Sequence, residues 1–164
     1  MQQVQSVKTL HQHAYSHHYG TSGEVAHFYH ANGFPIGSYQ PLLMRLGQHM
    51  QVNALAMRPT WPSVGPPPQS RSWDIYALDL IHYIESHFEQ PIIAIGHSMG
   101  ATSTAIAAQM RPDLFKALVL IEVAMANKTL ATLARISPKF IAQRFEPAAS
   151  TLKKVESWPS MDAY

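Results

Sequence analysis

The chain contains no cysteine among its 164 residues, which excludes disulfide bonds, thiolate metal sites and a cysteine nucleophile. Charged residues make up only 13% and the formal net charge is +2, so neither nucleic acid nor a membrane surface is an expected partner. No segment approaches the roughly 20 apolar residues of a membrane span, and the N-terminal residues lack the pattern of a signal peptide. We therefore expect a cytoplasmic protein. With 46% hydrophobic residues, we also expect a single domain with a hydrophobic core.

The N-terminal residues also lack any clear hydrophobic period. Two histidine pairs, His11 with His13 and His17 with His18, lie in this polar stretch. Histidine pairs can hold a metal ion, but here no carboxylate or cysteine accompanies them. We therefore predict an irregular segment over residues 1–22 and no metal site.

A short motif in the second half of the chain carries the most chemical information. Residues Gly96–Gly100, with the sequence GHSMG, follow the apolar run Pro91–Ile95 and precede an alanine-rich stretch that stops before Pro112. A G-x-S-x-G between a strand and a helix is a nucleophile elbow, a turn that exposes the serine hydroxyl above a helix N-terminus. The pattern predicts Ser98 as a nucleophile, with the backbone amide of Met99 as one donor to an oxyanion.

A second motif, Asn32–Pro35 with the sequence NGFP, follows the predicted strand 25–30. Gly33 permits a tight turn, and Pro35 restricts Phe34 to extended geometry. The backbone amide of Phe34 is therefore the candidate second oxyanion donor, and we expect Asn32, Gly33 and His97 to line the substrate pocket. The alternative is an ordinary turn at the end of a strand.

Predicted strands alternate with predicted helices along the chain. The strands are residues 25–30, 52–57, 92–95 and 117–121, and a helix over 40–50 should bury Leu42, Leu43 and Leu46. Such alternation predicts a three-layer α/β fold, with a mostly parallel sheet covered by helices on both faces. Nothing after the uniformly apolar run 117–121 has the pattern of a strand. We expect this run to form an exposed edge strand that pairs with a second copy or a complementary chain.

These motifs together resemble the α/β-hydrolase superfamily, in a branch of bacterial esterase-like serine hydrolases. The resemblance rests on His30–Pro35, the proline-containing run Arg58–Ser63, and Gly96–Gly100. It covers a partial core over residues 23–125, and residues 126–164 are similar to the start of a helical cap. It implies Ser98 as nucleophile, Phe34 and Met99 as the oxyanion hole, a small carboxylic ester or related acyl substrate, and no cofactor. Asn32 stands where many relatives have histidine.

The resemblance also exposes a missing part. In folds with this elbow the triad follows the order serine, acid, histidine, but all ten histidines of this chain precede Ser98. We therefore expect an N-terminal, C-terminally truncated portion of a hydrolase that is poorly active alone. Glu122, after the strand 117–121, could be the acid or a solvated strand end. The alternative function is a non-catalytic binding or interaction domain.

Overall fold

The computed structural model describes residues 3–8, 13–61 and 73–124. Its strands and helices alternate along most of the chain, as the sequence predicts. The strands are β1 (Gln3–Lys8), β2 (His13–Tyr19), β3 (Val25–Tyr29), β4 (Gln51–Leu55), β5 (Ile92–His97) and β6 (Phe115–Ile121). The α-helices are α1 (Gln40–Leu46), α2 (Asp74–His87) and α3 (Met99–Met110), with short 3-10 turns at Ile36–Tyr39, Arg58–Thr60 and Pro112–Leu114.

The strands form one mixed sheet in the order β1-β2-β4-β3-β5-β6. Strands β4, β3, β5 and β6 are parallel, whereas β2 is antiparallel to both β1 and β4. Tyr29 lies opposite Gly96, and His97 lies opposite Ile121. The carboxyl ends of β3, β5 and β6 therefore meet at one edge, where open α/β sheets bind their ligands.

The prediction of an irregular segment over residues 1–22 is wrong. Strands β1 and β2 belong to the same sheet as the rest of the fold, so the core begins well before the predicted residue 23. The buried side of β2 includes the polar residue Ser16, which has a hydrogen-bond partner. The hydroxyl groups of Ser16 and Tyr83 are 2.7 Å apart, and both residues are buried. Because Ser16 occupies a position where an apolar residue would mark a strand, the alternating pattern is not visible in the sequence.

Two hydrophobic cores lie on opposite faces of the sheet. On β3, Ala26 and Phe28 belong to one core, which includes Leu43 of α1. The following residue, Tyr29, belongs to the other core, with Leu80 of α2 and Met99 of α3 among its members. Neighbouring strand residues point to opposite faces, so helices cover both sides of the sheet, as predicted.

Helix α1 is shorter than the sequence pattern predicts. It ends at Leu46 rather than near residue 50, and its seven residues make only about two turns. Leu43 is fully buried, but Leu42 is 41% exposed, so the prediction that Leu42 faces the core is wrong. Leu46, the third predicted residue, is partly buried and packs against the same core as Leu43.

Strand β6 occupies the edge of the described sheet beside the elbow strand, as predicted. It pairs with β5 on one side, and in the described ranges no strand pairs with its other side. Its side chains from Leu118 to Ile121 are 37% to 46% exposed.

The end of the run Arg58–Ser63 and the helical cap predicted over 126–164 lie outside the described ranges. Among the residues that the structure does describe, no helix has the length and apolar character needed to cross a membrane.

Candidate active site

The turn between β5 and α3 has the geometry of a nucleophile elbow. Ser98 has φ 53° and ψ −116°, and Glu122 is the only other described non-glycine residue with positive φ. A Cβ atom on Gly100 would collide with the carbonyl oxygens of Tyr29 and His30, and one on Gly96 would lie 2.5 Å from the Cα of Ala101. Both glycines are therefore required for the close approach of α3 to the sheet.

The strain at Ser98 gives a stability prediction. A non-glycine residue in this region of φ/ψ space raises the folded state by about 1–3 kcal/mol. We expect Ser98→Gly to be about 1 kcal/mol more stable than Ser98→Ala, since the greater freedom of unfolded glycine offsets part of the relief. Both variants remove the hydroxyl, so urea denaturation of the pair isolates the backbone effect. Equal stability of the two would show that the turn is relaxed.

The segment Ala31–Phe34 forms a turn after β3, which we call the oxyanion turn. Gly33 has φ +75°, and the Phe34 amide donates to the Ala31 carbonyl at 3.3 Å. That distance is longer than usual for an N–H···O bond, and the Phe34 side chain is 53% exposed. An oxyanion could therefore replace this carbonyl as the acceptor for the Phe34 amide. Met99 opens α3, where the first amides have no acceptor within the helix.

His30 stabilises the oxyanion turn through two hydrogen bonds of its imidazole ring. Its Nε2 accepts a hydrogen bond from the Met57 amide at 2.9 Å, so Nδ1 carries the proton and donates to the Ala31 carbonyl at 2.8 Å. Burial lowers the pKa of this imidazole. Both ring nitrogens are occupied by backbone groups, so the role of His30 is structural.

His27 is a second buried histidine of β3 that bonds to β4. Backbone pairing between these strands ends at His27 and Asn53, and beyond that point the Leu55 amide donates to His27 Nε2 at 3.2 Å. Burial, with a smaller contribution from His30, lowers the pKa of His27 to about 3. The Nδ1 atom is buried without a hydrogen-bond partner. Imidazoles thus join two strands where the backbone ladder has ended.

A small cavity of about 140 Å³ lies between the oxyanion turn and the loop after β4. Two of the predicted pocket residues, Asn32 and Gly33, line it, but His97 does not. Its remaining wall residues are mainly apolar: His30, Phe34, Pro35, Met57, Pro59 and Thr60. An apolar group of modest size would fit this space.

Arg58 fixes the loop that forms the far wall of this cavity. Its guanidinium donates from Nε to Asp79 Oδ2 at 3.0 Å and from a second nitrogen to Oδ1 at 2.5 Å. Asp79 is buried on α2, and the guanidinium also lies 4.8 Å from the Trp61 ring centroid. A two-point contact of this kind fixes orientation as well as distance.

A larger cavity, of about 540 Å³, lies elsewhere, around Gly20 and Gly47. It is next to the end of β2 and the residues that lead into β3, at the amino ends of the parallel strands. Because ligands of open α/β sheets bind at the carboxyl ends of the strands, the smaller cavity is the better candidate for the substrate-binding site.

The chain after β6 is held against the elbow. The Ser98 amide donates to the Ile121 carbonyl at 2.9 Å, and the Thr102 hydroxyl donates to the Ala124 carbonyl at 2.9 Å. Glu122 lies between these two contacts with φ 48°, and its side chain is 81% exposed. The structure therefore brings the predicted nucleophile and the candidate acid to neighbouring positions.

His97 lies between the oxyanion turn and Glu122. Its Nε2 is 3.3 Å from Glu122 Oε2, and its Nδ1 is 2.7 Å from the hydroxyl of Tyr39. The same hydroxyl accepts a hydrogen bond from the Ala31 amide at 3.2 Å. Sequence reasoning missed Tyr39, because it belongs to no motif and its contact with His97 joins positions 58 residues apart.

The sheet order and the tight turn between β5 and α3 define an alpha/beta hydrolase domain. The chain belongs to the alpha/beta hydrolase family, whose sequence model matches residues 25–163. A search of curated proteins found no match.

Solved structures share this fold at low sequence identity. Epoxide hydrolase VrEH1 from Vigna radiata aligns with a TM-score of 0.73 at 18% identity, over 92% of this chain and 52% of its own. The thioesterase domain from the curacin biosynthetic pathway aligns with 0.68 at 20%, over 82% and 52%. E-2-(Acetamidomethylene)succinate hydrolase aligns with 0.68 at 24%, over 82% and 50%. The chain therefore spans about half the length of these structures.

Proposed function

We propose that this chain is part of a serine hydrolase that acts on carboxylic esters or related acyl substrates through Ser98. The observation that carries the proposal is the strained backbone of Ser98 between β5 and α3, with the oxyanion turn at the same edge of the sheet. In this proposal a general base takes the proton of Ser98 as its oxygen attacks the acyl carbon, and the amides of Phe34 and Met99 stabilise the resulting oxyanion. Collapse of the oxyanion expels the alcohol, and water then hydrolyses the acyl-serine to release the acid. A serine at the elbow favours acyl transfer over the epoxide opening that the names of several structural neighbours record.

The general base must come from outside the described histidines near the elbow. His30 has both ring nitrogens bonded to backbone groups, and His97 lies between Tyr39 and Glu122. No histidine follows Ser98 in the sequence. Loss of the triad histidine lowers turnover by about 10⁶ in a well-studied serine hydrolase. We therefore propose that the chain is a partial hydrolase domain, in which Glu122 serves as the acid once a histidine is supplied.

The test is chemical rescue with imidazole. We expect the purified chain alone to hydrolyse an activated ester no faster than Ser98→Ala, since the described histidines near the elbow, His30 and His97, are bonded to other groups. Added imidazole replaces the missing base, so the wild-type chain should then exceed the variant, and mass spectrometry should find an acyl group on Ser98. The variant corrects for hydrolysis by imidazole itself.

The outcomes separate the two functions. Acylation of Ser98 only with imidazole supports a hydrolase that lacks its base, whereas fast hydrolysis without imidazole would show that an upstream histidine acts. Absence of acylation under both conditions would overturn the proposal. It would favour a non-catalytic binding domain, the alternative supported by the complete engagement of His30 in backbone bonds.

A further inference from the structure

The oxyanion turn and the elbow lie on different elements, and one chain of hydrogen bonds connects them. It runs from the Ala31 amide to the Tyr39 hydroxyl, from Tyr39 to His97, and from His97 to Glu122. A continuous path of this kind fixes the separation of two segments that no covalent bond sets.

The chemistry of the groups determines the direction of each bond. The Ala31 amide can only donate, so the Tyr39 oxygen accepts there and its own proton is available for His97 Nδ1. An Nδ1 that accepts carries no proton, so the proton of the neutral ring is on Nε2 and points to the Glu122 carboxylate. An imidazolium would instead donate from Nδ1 and leave the Tyr39 proton without this acceptor. Only with the neutral Nε2–H tautomer of His97 does every N–H and O–H group along this path have an acceptor.

The packing around Tyr39 keeps its hydroxyl in place. Its ring lies 4.7 Å from the ring of the fully buried Phe28 and 5.8 Å, edge to face, from the ring of His97. A phenol is protonated at neutral pH, and burial raises the pKa of Tyr39 further above its ordinary value of 10, although the bond from Ala31 acts in the opposite direction. A tyrosine held only by solvent contacts would not define the position of the turn.

We propose that Tyr39 and His97 are positioning residues that hold the oxyanion turn in register with the elbow and with Glu122. An oxyanion hole requires donors about 2.7–3.1 Å from the developing charge, and a shift of about 1 Å can lower a rate about 100-fold. Phe34 and Met99 belong to the two segments that this path joins. The hydrogen-bond path itself is independent of catalysis, whereas its effect on an oxyanion hole rests on the proposed function.

The test uses the purified chain with ¹⁵N-labelled histidine and nuclear magnetic resonance. We expect His97 to be the Nε2–H tautomer, and Tyr39→Phe to shift the Nδ1 resonance, because that atom loses the Tyr39 proton while Nε2–H still faces Glu122. The same variant should speed hydrogen exchange of the Ala31 amide about fivefold to tenfold, because that amide loses its acceptor. Tyr15→Phe, which removes the hydroxyl of a half-exposed tyrosine on β2, is the control and should change neither signal.

Two variants at His97 separate its Nδ1 contact with Tyr39 from its Nε2 contact with Glu122. They test the proposal even if Tyr39→Phe does not fold. His97→Asn keeps an acceptor near the Nδ1 position, whereas His97→Gln keeps a polar group only near the Nε2 position. Protection of the Ala31 amide should therefore survive in His97→Asn and fall in His97→Gln. Equal protection in both variants, or an Nδ1–H tautomer in the wild-type chain, would overturn the proposal. Acylation of Ser98 is measured separately, so failure of the path and failure of the proposed hydrolase are distinguishable.

Discussion

Acidification is expected to destabilise this chain strongly between pH 6.5 and about 3, because of its two buried histidines. The pKa of His27 falls from 6.5 to about 3 on folding, mainly through burial, and that of His30 also falls. Below pH 6.5 the unfolded state therefore binds protons that the folded state does not, so the free energy of unfolding decreases as pH falls. One such histidine contributes at most about 1.4 kcal/mol per pH unit, or about 3 kcal/mol between pH 6.5 and 4.

The measurement is urea denaturation at several values from about pH 7.5 to pH 4. His27→Gln retains an oxygen that can accept from the Leu55 amide but cannot titrate, so its stability should fall less steeply with acid than that of the wild type. His49→Gln is the control, since His49 is exposed. Equal slopes for wild type and His27→Gln would contradict the assignment of acid sensitivity to this residue.

The second large effect concerns association through β6. We expect the chain to self-associate at concentrations on the order of 100 µM, because an exposed edge strand presents unpaired backbone groups. Four consecutive side chains of β6, Leu118 to Ile121, carry no charge and are 37% to 46% exposed. Val119→Lys should shift the chain towards monomer, since a charge on an edge strand opposes pairing with another strand.

Sedimentation velocity measures the association, and hydrogen exchange locates it. Leu78→Lys is the matched control, because Leu78 is 49% exposed on α2 and the substitution adds the same charge away from the edge. That variant should associate like the wild type, with amides of 117–121 protected at high concentration. A wild-type chain that stays monomeric, or association that both lysine variants weaken equally, would rule out pairing through β6.

Local patterns predicted the parts of the fold that depend on neighbouring residues. The apolar run before Gly96 and the alanine-rich stretch after Gly100 correctly predicted β5 and α3, because small residues are the only ones that permit their close approach. The alternation of strands and helices correctly predicted a mostly parallel sheet with two covered faces. Such signals lie within a window of a few residues and survive without tertiary context.

The errors and omissions depend on distant partners. Strand β2 was missed because Ser16 faces inward and is buried beside Tyr83, a residue of α2. No sequence pattern identifies Tyr39, because its role depends on contacts with Ala31 and His97. A sequence shows which polar residues exist but not which of them will meet. The catalytic roles given to Ser98, Phe34, Met99 and Glu122 remain predictions, although the structure places their segments at one edge of the sheet.

The two strained residues, Ser98 and Glu122, have a consequence for laboratory evolution of this chain. Both occupy positive φ, where glycine fits without steric penalty. A library selected for thermal stability alone would therefore enrich glycine at these two positions and lose the hydroxyl and the carboxylate together. A library that also had to retain Ser98 chemistry would keep the serine at the expense of stability. Comparison of the two pools would reveal which of these side chains is retained for its chemistry rather than for the fold.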